Sequence, residues 1–228
     1  MTRALLVGAG GLGGPIANGL AAAGHALTIV DPDVVELSNL HRQVQFSTSD
    51  LGASKAVVLA GDVNARAEVA RWTPALGDAC DLIVDASDDP ATKFAISDWA
   101  VANGRRYVIA SALRYGGNVF AGAPGAACYR CLFEDPVDDA PTCADAGVLG
   151  PVVGAIGGVA AAVAIGLAAG DRSLAGALLV FDDLRRVAEP RIVRFAPRPG
   201  CPACARAPIS PQPKEAADAE HSRAKRTP

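Results

Sequence analysis

Apolar and polar positions alternate along the first half of the chain in a rhythm of short runs and longer, small-residue stretches. RALLVG (residues 3–8) is a short apolar run of strand type, and GLGGPIANGLAAAG (11–24) has the length and composition of a helix. ALTIVD (26–31) is a second strand, and after a polar stretch (32–50) the pattern predicts a helix over 51–65. EVARW (68–72) and DLIVDA (81–86) are read as further strands, followed by a helix over 91–104 and the strand RYVIAS (106–111). This βαβ rhythm predicts a parallel sheet with helices on both faces. In the second half GNVFAGA, a cysteine-bearing loop and an apolar helix precede ALLVFDD and RIVRFAP, two strands expected to extend the sheet in mixed or antiparallel sense. The fold class expected is therefore α/β: a Rossmann-like, doubly wound, mostly parallel sheet with extra C-terminal strands. It occupies residues 1–205, and the Pro-, Ala- and charge-rich stretch 206–228 is expected to be a disordered tail.

From Val148 to Gly170 no residue carries a charge, a stretch long enough to span a bilayer. It consists mainly of Ala and Gly, which gain little on transfer to lipid, so a buried helix packed closely through small residues is expected instead. With 228 residues, half of them hydrophobic and a fifth charged, the chain can bury a sizeable core. Lys plus Arg number 21 against 24 Asp plus Glu, which leaves no electrostatic footprint for nucleic acid or an anionic membrane. MTRALLVGAG runs directly into a strand pattern without the features of an export signal, and the expected location is the cytoplasm. There the six cysteines point to metal or sulfur chemistry before disulfides.

GAGGLG follows a strand and opens a helix, the setting that a dinucleotide fingerprint requires. Gly8 suits the tight turn, Gly10 close approach of backbone to phosphate, and Gly13 close helix–strand packing. Amides at the helix start favour an anion, and Asp31, ending the second strand, can accept both ribose hydroxyls. These features serve NAD and ATP alike, and a glycine-rich turn without a ligand has the same appearance. The next loop, SNLHRQ, discriminates: Asn39, Arg42 and Gln43, with Lys55 on the following helix, would gather cations near the glycine turn. Such cations suit a triphosphate and the charge developing in nucleotidyl transfer, whereas a nicotinamide site wants an apolar pocket. VDASDD places Asp88 and Asp89 beyond another strand end, where a carboxylate can hold Mg²⁺; equally, an Asp before Pro90 is a good helix N-cap.

Cys128-Tyr-Arg-Cys131 and Cys201-Pro-Ala-Cys204 can supply four thiolates to a tetrahedral Zn²⁺, the reading preferred to a redox dithiol or an iron–sulfur cluster. Cys80 has the setting of a small buried hydrophobe. Cys143 lies in the polar segment EDPVDDAPTCADAG and is either an idle loop thiol or a nucleophile for an acyl group made at the nucleotide site.

GAGGLG, Asp31, SNLHRQ, Lys55, VDASDD, CYRC, TCADAGVLGPVVGAIG and CPAC occur in the order seen in one family, and the chain resembles the MoeB/ThiF/HesA group of bacterial relatives of ubiquitin-activating enzymes. The resemblance runs from the first strand to Cys204. It implies an ATP-dependent adenylyltransferase that activates the C-terminal Gly-Gly carboxylate of a small ubiquitin-like sulfur carrier, with a separate sulfurtransferase or persulfide donor and a homodimeric enzyme. By motif it places phosphate on Gly11 and its neighbours, ribose on Asp31, the triphosphate on Ser38 to Arg42 and Lys55, Mg²⁺ on Asp88, and zinc on Cys128, Cys131, Cys201 and Cys204. Lys93 stands where the family has a basic residue near the carrier tail, and Cys143 matches a cysteine that some members use for acyl or sulfur transfer. Two departures are noted: Asp89 replaces a common Asn, and the family's arginine-donating N-terminal helical segment is expected to have no counterpart before Arg3. The second departure motivates an alternative, a catalytically reduced subunit of such an enzyme; an NAD-dependent oxidoreductase is the remaining alternative.

Overall fold

The computed structural model describes residues 1–135, 147–186 and 189–204. Its strands are β1 (Arg3–Val7), β2 (Ala26–Val30), β3 (Arg66–Glu68), β4 (Leu82–Asp85), β5 (Arg106–Leu113), β6 (Gly116–Gly122), β7 (Ala177–Phe181) and β8 (Arg191–Arg194). They form one sheet in the order β3-β2-β1-β4-β5-β6-β7-β8. β1 to β5 run parallel, whereas β6, β7 and β8 are antiparallel additions. The helices are α1 (Gly13–Ala22), α2 (Lys55–Asp62), α3 (Pro74–Gly77), α4 (Pro90–Ala102), α5 (Tyr129–Leu132) and α6 (Gly150–Ala168).

The central strands β1, β4 and β5 are mostly apolar at successive positions because both faces of the sheet are covered there. Successive side chains point to opposite faces. Ala4 and Leu6 of β1, Leu82 and Val84 of β4, and Val108 and Ala110 of β5 therefore pack beneath α1, α2 and α6. Leu5, Val7, Ile83, Tyr107 and Ile109 turn the other way and pack with Phe94, Ile96, Trp99 and Tyr129 from α4 and α5.

α6 is the uncharged stretch singled out above. It is long and apolar enough to cross a membrane, with mean hydropathy 2.1, and half of it is buried inside the fold. Val152, Val153, Ile156, Ala160, Val163, Ala164 and Leu167 form the inward face. Two glycines set its approach to α1: a Cβ on Gly157 would strike the Pro15 ring and the Leu12 carbonyl, and one on Gly19 would stand 2.7 Å from the Ala161 Cβ.

One strand assignment needs correction. The strand read over 68–72 is instead Arg66–Glu68, paired only with Thr28–Val30 at the sheet edge. Beyond Glu68 the chain turns, with Ala70 N–H donating to the Glu68 carbonyl, and Val69 to Trp72 leave the sheet. The apolar character of that run comes from Trp72, which packs against the second core rather than continuing the strand.

Candidate active site

The parallel strand order turns back between β1 and β4. α1 leaves β1 toward one face of the sheet and α4 leaves β4 toward the other, so a crevice opens at the carboxyl ends of these two strands. A cavity of about 470 Å³ occupies it, within the range of ligand sites.

Gly8 begins the turn out of β1 with φ +97°, a conformation that favours glycine, and its N–H donates to the Val30 carbonyl at 2.8 Å. A Cβ there would lie 2.8–2.9 Å from the backbone of Ala86 and Ser87, so the missing side chain is what lets the β1 and β4 turns touch. Gly13 allows α1 to sit against the Gly8 carbonyl, and a Cβ on Gly11 would come within 2.7 Å of the Arg42 carbonyl. α1 has no side-chain cap, so its first turn presents amides uncompeted by the protein's own side chains.

Asp31, at the end of β2, is 6% exposed; its Oδ2 accepts from Ala9 N–H at 2.7 Å and its Oδ1 from Asp33 N–H at 2.8 Å. Burial pushes this carboxyl above its ordinary range despite the two amides, and each oxygen keeps a lone pair for a hydroxyl donor. Lys55 opens α2 with a buried stem, and its Nζ reaches Asp33 at 3.1 Å. Arg42 and Gln43 come from the loop that packs between the starts of α1 and α6. The Gln43 side-chain oxygen is buried and has no hydrogen-bond partner among the described residues. Gln45 fixes the glycine turn itself, its Nε2 donating to the Ala9 carbonyl at 3.0 Å and the Gly10 carbonyl at 2.8 Å. Gly14 leaves the room that Gln45 fills.

The β4 side of the crevice is a polar knot. Asp85, fully buried, accepts at Oδ1 from Ser87 N–H (3.1 Å) and Ser87 Oγ (2.7 Å), and at Oδ2 from Lys93 Nζ (2.8 Å). Lys93 donates further to the Ser87 carbonyl (2.7 Å) and the Ala110 carbonyl (2.9 Å). Asp89 caps α4, accepting from Ala91 and Thr92 N–H and from the Thr92 hydroxyl. Burial works against its ionisation, but these bonds outweigh it and hold the carboxyl below its ordinary range. Its extra charge relative to an Asn is thus spent on the helix terminus. Asp88, exposed in the cavity wall, has no such bond among the described residues. A lone carboxylate beside an anion-binding turn suits a hard cation that completes its shell with phosphate oxygens and water.

The four cysteines of the two C-x-x-C pairs converge away from this crevice, all sulfurs lying within 4.8 Å of one another. Separations of 3.7 Å (Cys128–Cys131), 3.6 Å (Cys128–Cys201) and 3.4 Å (Cys131–Cys204) exceed a disulfide bond. They approach the edge of about 3.8 Å that a tetrahedron with Zn–S of about 2.3 Å requires. Arg198 N–H points at Cys131 Sγ from 3.2 Å, and against the burial of Cys201 the Cys204 and Ala203 amides favour its thiolate. The donor set fits a structural zinc ion.

Of the residues expected from sequence, Gly8, Gly10, Gly11, Asp31, Arg42, Gln43, Lys55, Asp88 and Asp89 line the one crevice. Gly13 supports it from behind. Ser38 and Asn39 do not line it; their side chains turn to Glu36, at 3.4 and 3.2 Å. Cys143 and the 206–228 tail lie outside the described residues. Sequence reading passed over Asp33, Gln45 and the Ser111–Asn118 pair (2.7 Å) that forms the β5–β6 wall. It also passed over Arg71 and Trp72, brought to the cavity by the chain that leaves the sheet after β3.

Residues 1–203 match the model of the ThiF family, and the chain belongs to that family. It is 37% identical over 217 residues to the sulfur carrier protein ThiS adenylyltransferase of Escherichia coli K12, covering 89% of this chain and 86% of that protein. It is 40% identical over 223 residues to the adenylyltransferase and sulfurtransferase MOCS3 of Sus scrofa, covering 90% of this chain. The chain spans about half the length of that relative, 48%. Among solved structures it shares its fold with Escherichia coli MccB, crystallised with ATP: TM-score 0.75 at 18% identity, over 90% of this chain and 67% of that one.

Proposed function

We propose that this ThiF-family chain is an ATP-dependent adenylyltransferase that activates the C-terminal Gly-Gly carboxylate of a small ubiquitin-like sulfur carrier. The observation that carries this reading is the single crevice in which an amide-lined glycine turn, the buried acceptor Asp31, the cations Arg42 and Lys55, and the free carboxylate Asp88 face one another. In it Asp31 accepts from the ribose, and the glycine turn and first turn of α1 take phosphate oxygens. Arg42 and Lys55 face the triphosphate, Lys55 exchanging Asp33 for phosphate. The carrier carboxylate attacks the α-phosphorus; the bond to the β-phosphate's bridging oxygen breaks, and pyrophosphate leaves with the electron pair. Fixed cations at that oxygen stabilise the charge that develops as it leaves. Bound at Asp88, Mg²⁺ would lower the repulsion between carboxylate and triphosphate. Zn²⁺ on Cys128, Cys131, Cys201 and Cys204 would be structural.

The names of the relatives support the sulfur-carrier assignment, since one acts on ThiS and others pair adenylyltransferase with sulfurtransferase activity. Attack on the acyl-adenylate by sulfide-level sulfur from a separate donor would displace AMP and leave a thiocarboxylate. As the candidate acyl acceptor on this chain, the Cys143 thiol would instead displace AMP first to form a thioester, from which the donor's sulfide would then displace the thiolate. We place the enzyme in the cytoplasm as a homodimer. Exposed Val34, Leu37, Val44, Leu51 and Val57, and the small outer residues Gly154, Ala155, Gly158 and Ala162 of α6, are the surfaces that support self-association.

ATP–pyrophosphate exchange tests the reading, using a panel of Gly-Gly-ended carriers and one short peptide ending in a free carboxylate. Carrier-dependent exchange, reduced about 100-fold or more in Lys55→Ala, is expected. Exchange with the peptide alone would transfer the activity to peptide substrates. Exchange with none, despite Mg-ATP binding, would refute catalysis.

A further inference from the structure

Lys93 lines the crevice, yet nothing incoming can use it. An ammonium has three donors, and here the Asp85 carboxylate, the Ser87 carbonyl and the Ala110 carbonyl accept from it at 2.7–2.9 Å. Its side chain is 8% exposed and that of Asp85 is 0% exposed. Turning Lys93 toward a substrate would strand a carboxylate in the core, a costly state for a buried charge.

We propose that Lys93 is a positioning residue, which sets Asp88 and the glycine turn for the metal-bound nucleotide and makes no contact with the carboxylate substrate. The inference rests on the nucleotide reading of the crevice and goes beyond it.

Three observations lead there. First, the knot immobilises the segment just before Asp88. Asp85 takes the Ser87 amide and hydroxyl on one oxygen and Lys93 on the other, Ala86 N–H donates to the Val7 carbonyl at 2.8 Å, and Lys93 takes the Ser87 carbonyl. Second, Asp89 on the far side of Asp88 is fixed as the cap of α4. Asp88 is thus held between two anchored neighbours while its own carboxylate stays available. Third, Gly8 rests directly on the Ala86–Ser87 backbone, so the same ammonium that holds the β4 turn also supports the β1 turn. One buried cation fixes both lips of the crevice. Because Asp85 neutralises it, Lys93 adds no net charge there, and the working cations are those of the Arg42 and Lys55 side.

Calorimetry of ATP binding with and without Mg²⁺, together with carrier KM from pyrophosphate exchange, separates this role from substrate contact. The variants are Lys93→Met, the charge-neutral pair Asp85→Asn/Lys93→Met, and Asp88→Ala for reference. The Mg²⁺-dependent gain in ATP affinity is expected to fall by about 10- to 100-fold in the Lys93 variants, approaching Asp88→Ala, as when a residue that orients a metal ligand is removed. Carrier KM at saturating Mg-ATP is expected to stay within about twofold of the parent. If Lys93→Met does not fold, the paired variant, which leaves no unpaired buried charge, carries the comparison. Parent-like Mg-ATP binding with a raised carrier KM would overturn the proposal and make Lys93 a substrate contact. Parent-like values of both would overturn it as well. A parent protein that does not bind Mg-ATP would instead refute the nucleotide site itself.

Discussion

Removal of metal from the Cys128–Cys131–Cys201–Cys204 cluster is expected to lower the melting temperature by roughly 10–15 °C. The magnitude follows from chain connectivity. The two cysteine pairs stand 73 residues apart, and a cross-link closing a loop of that length removes about 4 kcal/mol of chain entropy from the unfolded state. For a domain of this size each kcal/mol moves the midpoint by roughly 2–4 °C. Among the described residues, β8 pairs with β7 and the stretch beyond it is held by a few contacts: Phe195 stacks on Phe120 with centroids 6.2 Å apart, and Arg198 pairs with Glu134 and reaches the Arg130 carbonyl at 3.2 Å. Those contacts sit at the surface end of the second core and cannot replace the cross-link. The measurement is thermal unfolding of reduced protein as purified, after chelation, and after zinc is restored, with metal content determined by elemental analysis. Recovery of the midpoint on zinc addition is expected, and Cys204→Ser should reproduce the chelated value. Equal midpoints with and without metal, or less than about a tenth of an equivalent bound after zinc loading, would refute the reasoning.

Other outcomes follow from single contacts. Gly8→Ala adds strain at φ +97° and a Cβ within 2.9 Å of the Ala86–Ser87 backbone, so a loss of about 1–3 kcal/mol in urea unfolding should accompany loss of ATP binding. Gln45→Ala removes two hydrogen bonds from the glycine turn and should cost about 1–2 kcal/mol and weaken ATP in calorimetry, with zinc content unaltered. Asp81 accepts from the Arg3 side chain and backbone, which depress its carboxyl from 3.8 to about 2. Because the folded value lies below the unfolded one, its stabilisation is present above about 3.8 and is lost as pH falls toward about 2. Asp81→Asn should therefore cost roughly 0.5–1 kcal/mol at pH 7, a modest figure because the pair is solvated, and the cost should shrink in unfolding curves taken near pH 3.

How far the molecule was legible in its sequence depended on whether the information was local. The strand–glycine–helix order at Gly8 to Gly13 and the C-x-x-C spacings are short-range patterns with direct physical meanings, and each appears where expected. Gln45 carried no such signal: a glutamine in a polar loop reads as solvated, and its task depends on carbonyls 35 and 36 residues away. Lys93 was legible as a cation but not as a spent one, because one of its acceptors is the Ala110 carbonyl on a neighbouring strand. Ser38 and Asn39 sit in the motif that contains Arg42, yet a short 3₁₀ turn over Leu37–Asn39 directs them to Glu36. Motif membership did not fix side-chain direction. β3 was misplaced because Val69 and Trp72 have strand-like character, while the neighbour that would prolong the strand, β2, ends at Val30.

The packing of α6 has a consequence for the order in which the protein is made. Its main partners, α1, β4, β5 and β6, all precede it in the chain. A nascent polypeptide presenting this 19-residue apolar helix at the ribosome therefore already holds the surface that covers its inward face. The cysteine cluster has the opposite timing, since Cys128 and Cys131 emerge about 70 residues before their partners. Synthesis thus favours early shielding of the segment most exposed to capture by a membrane, and it brings the four cysteines together only after that helix has its cover.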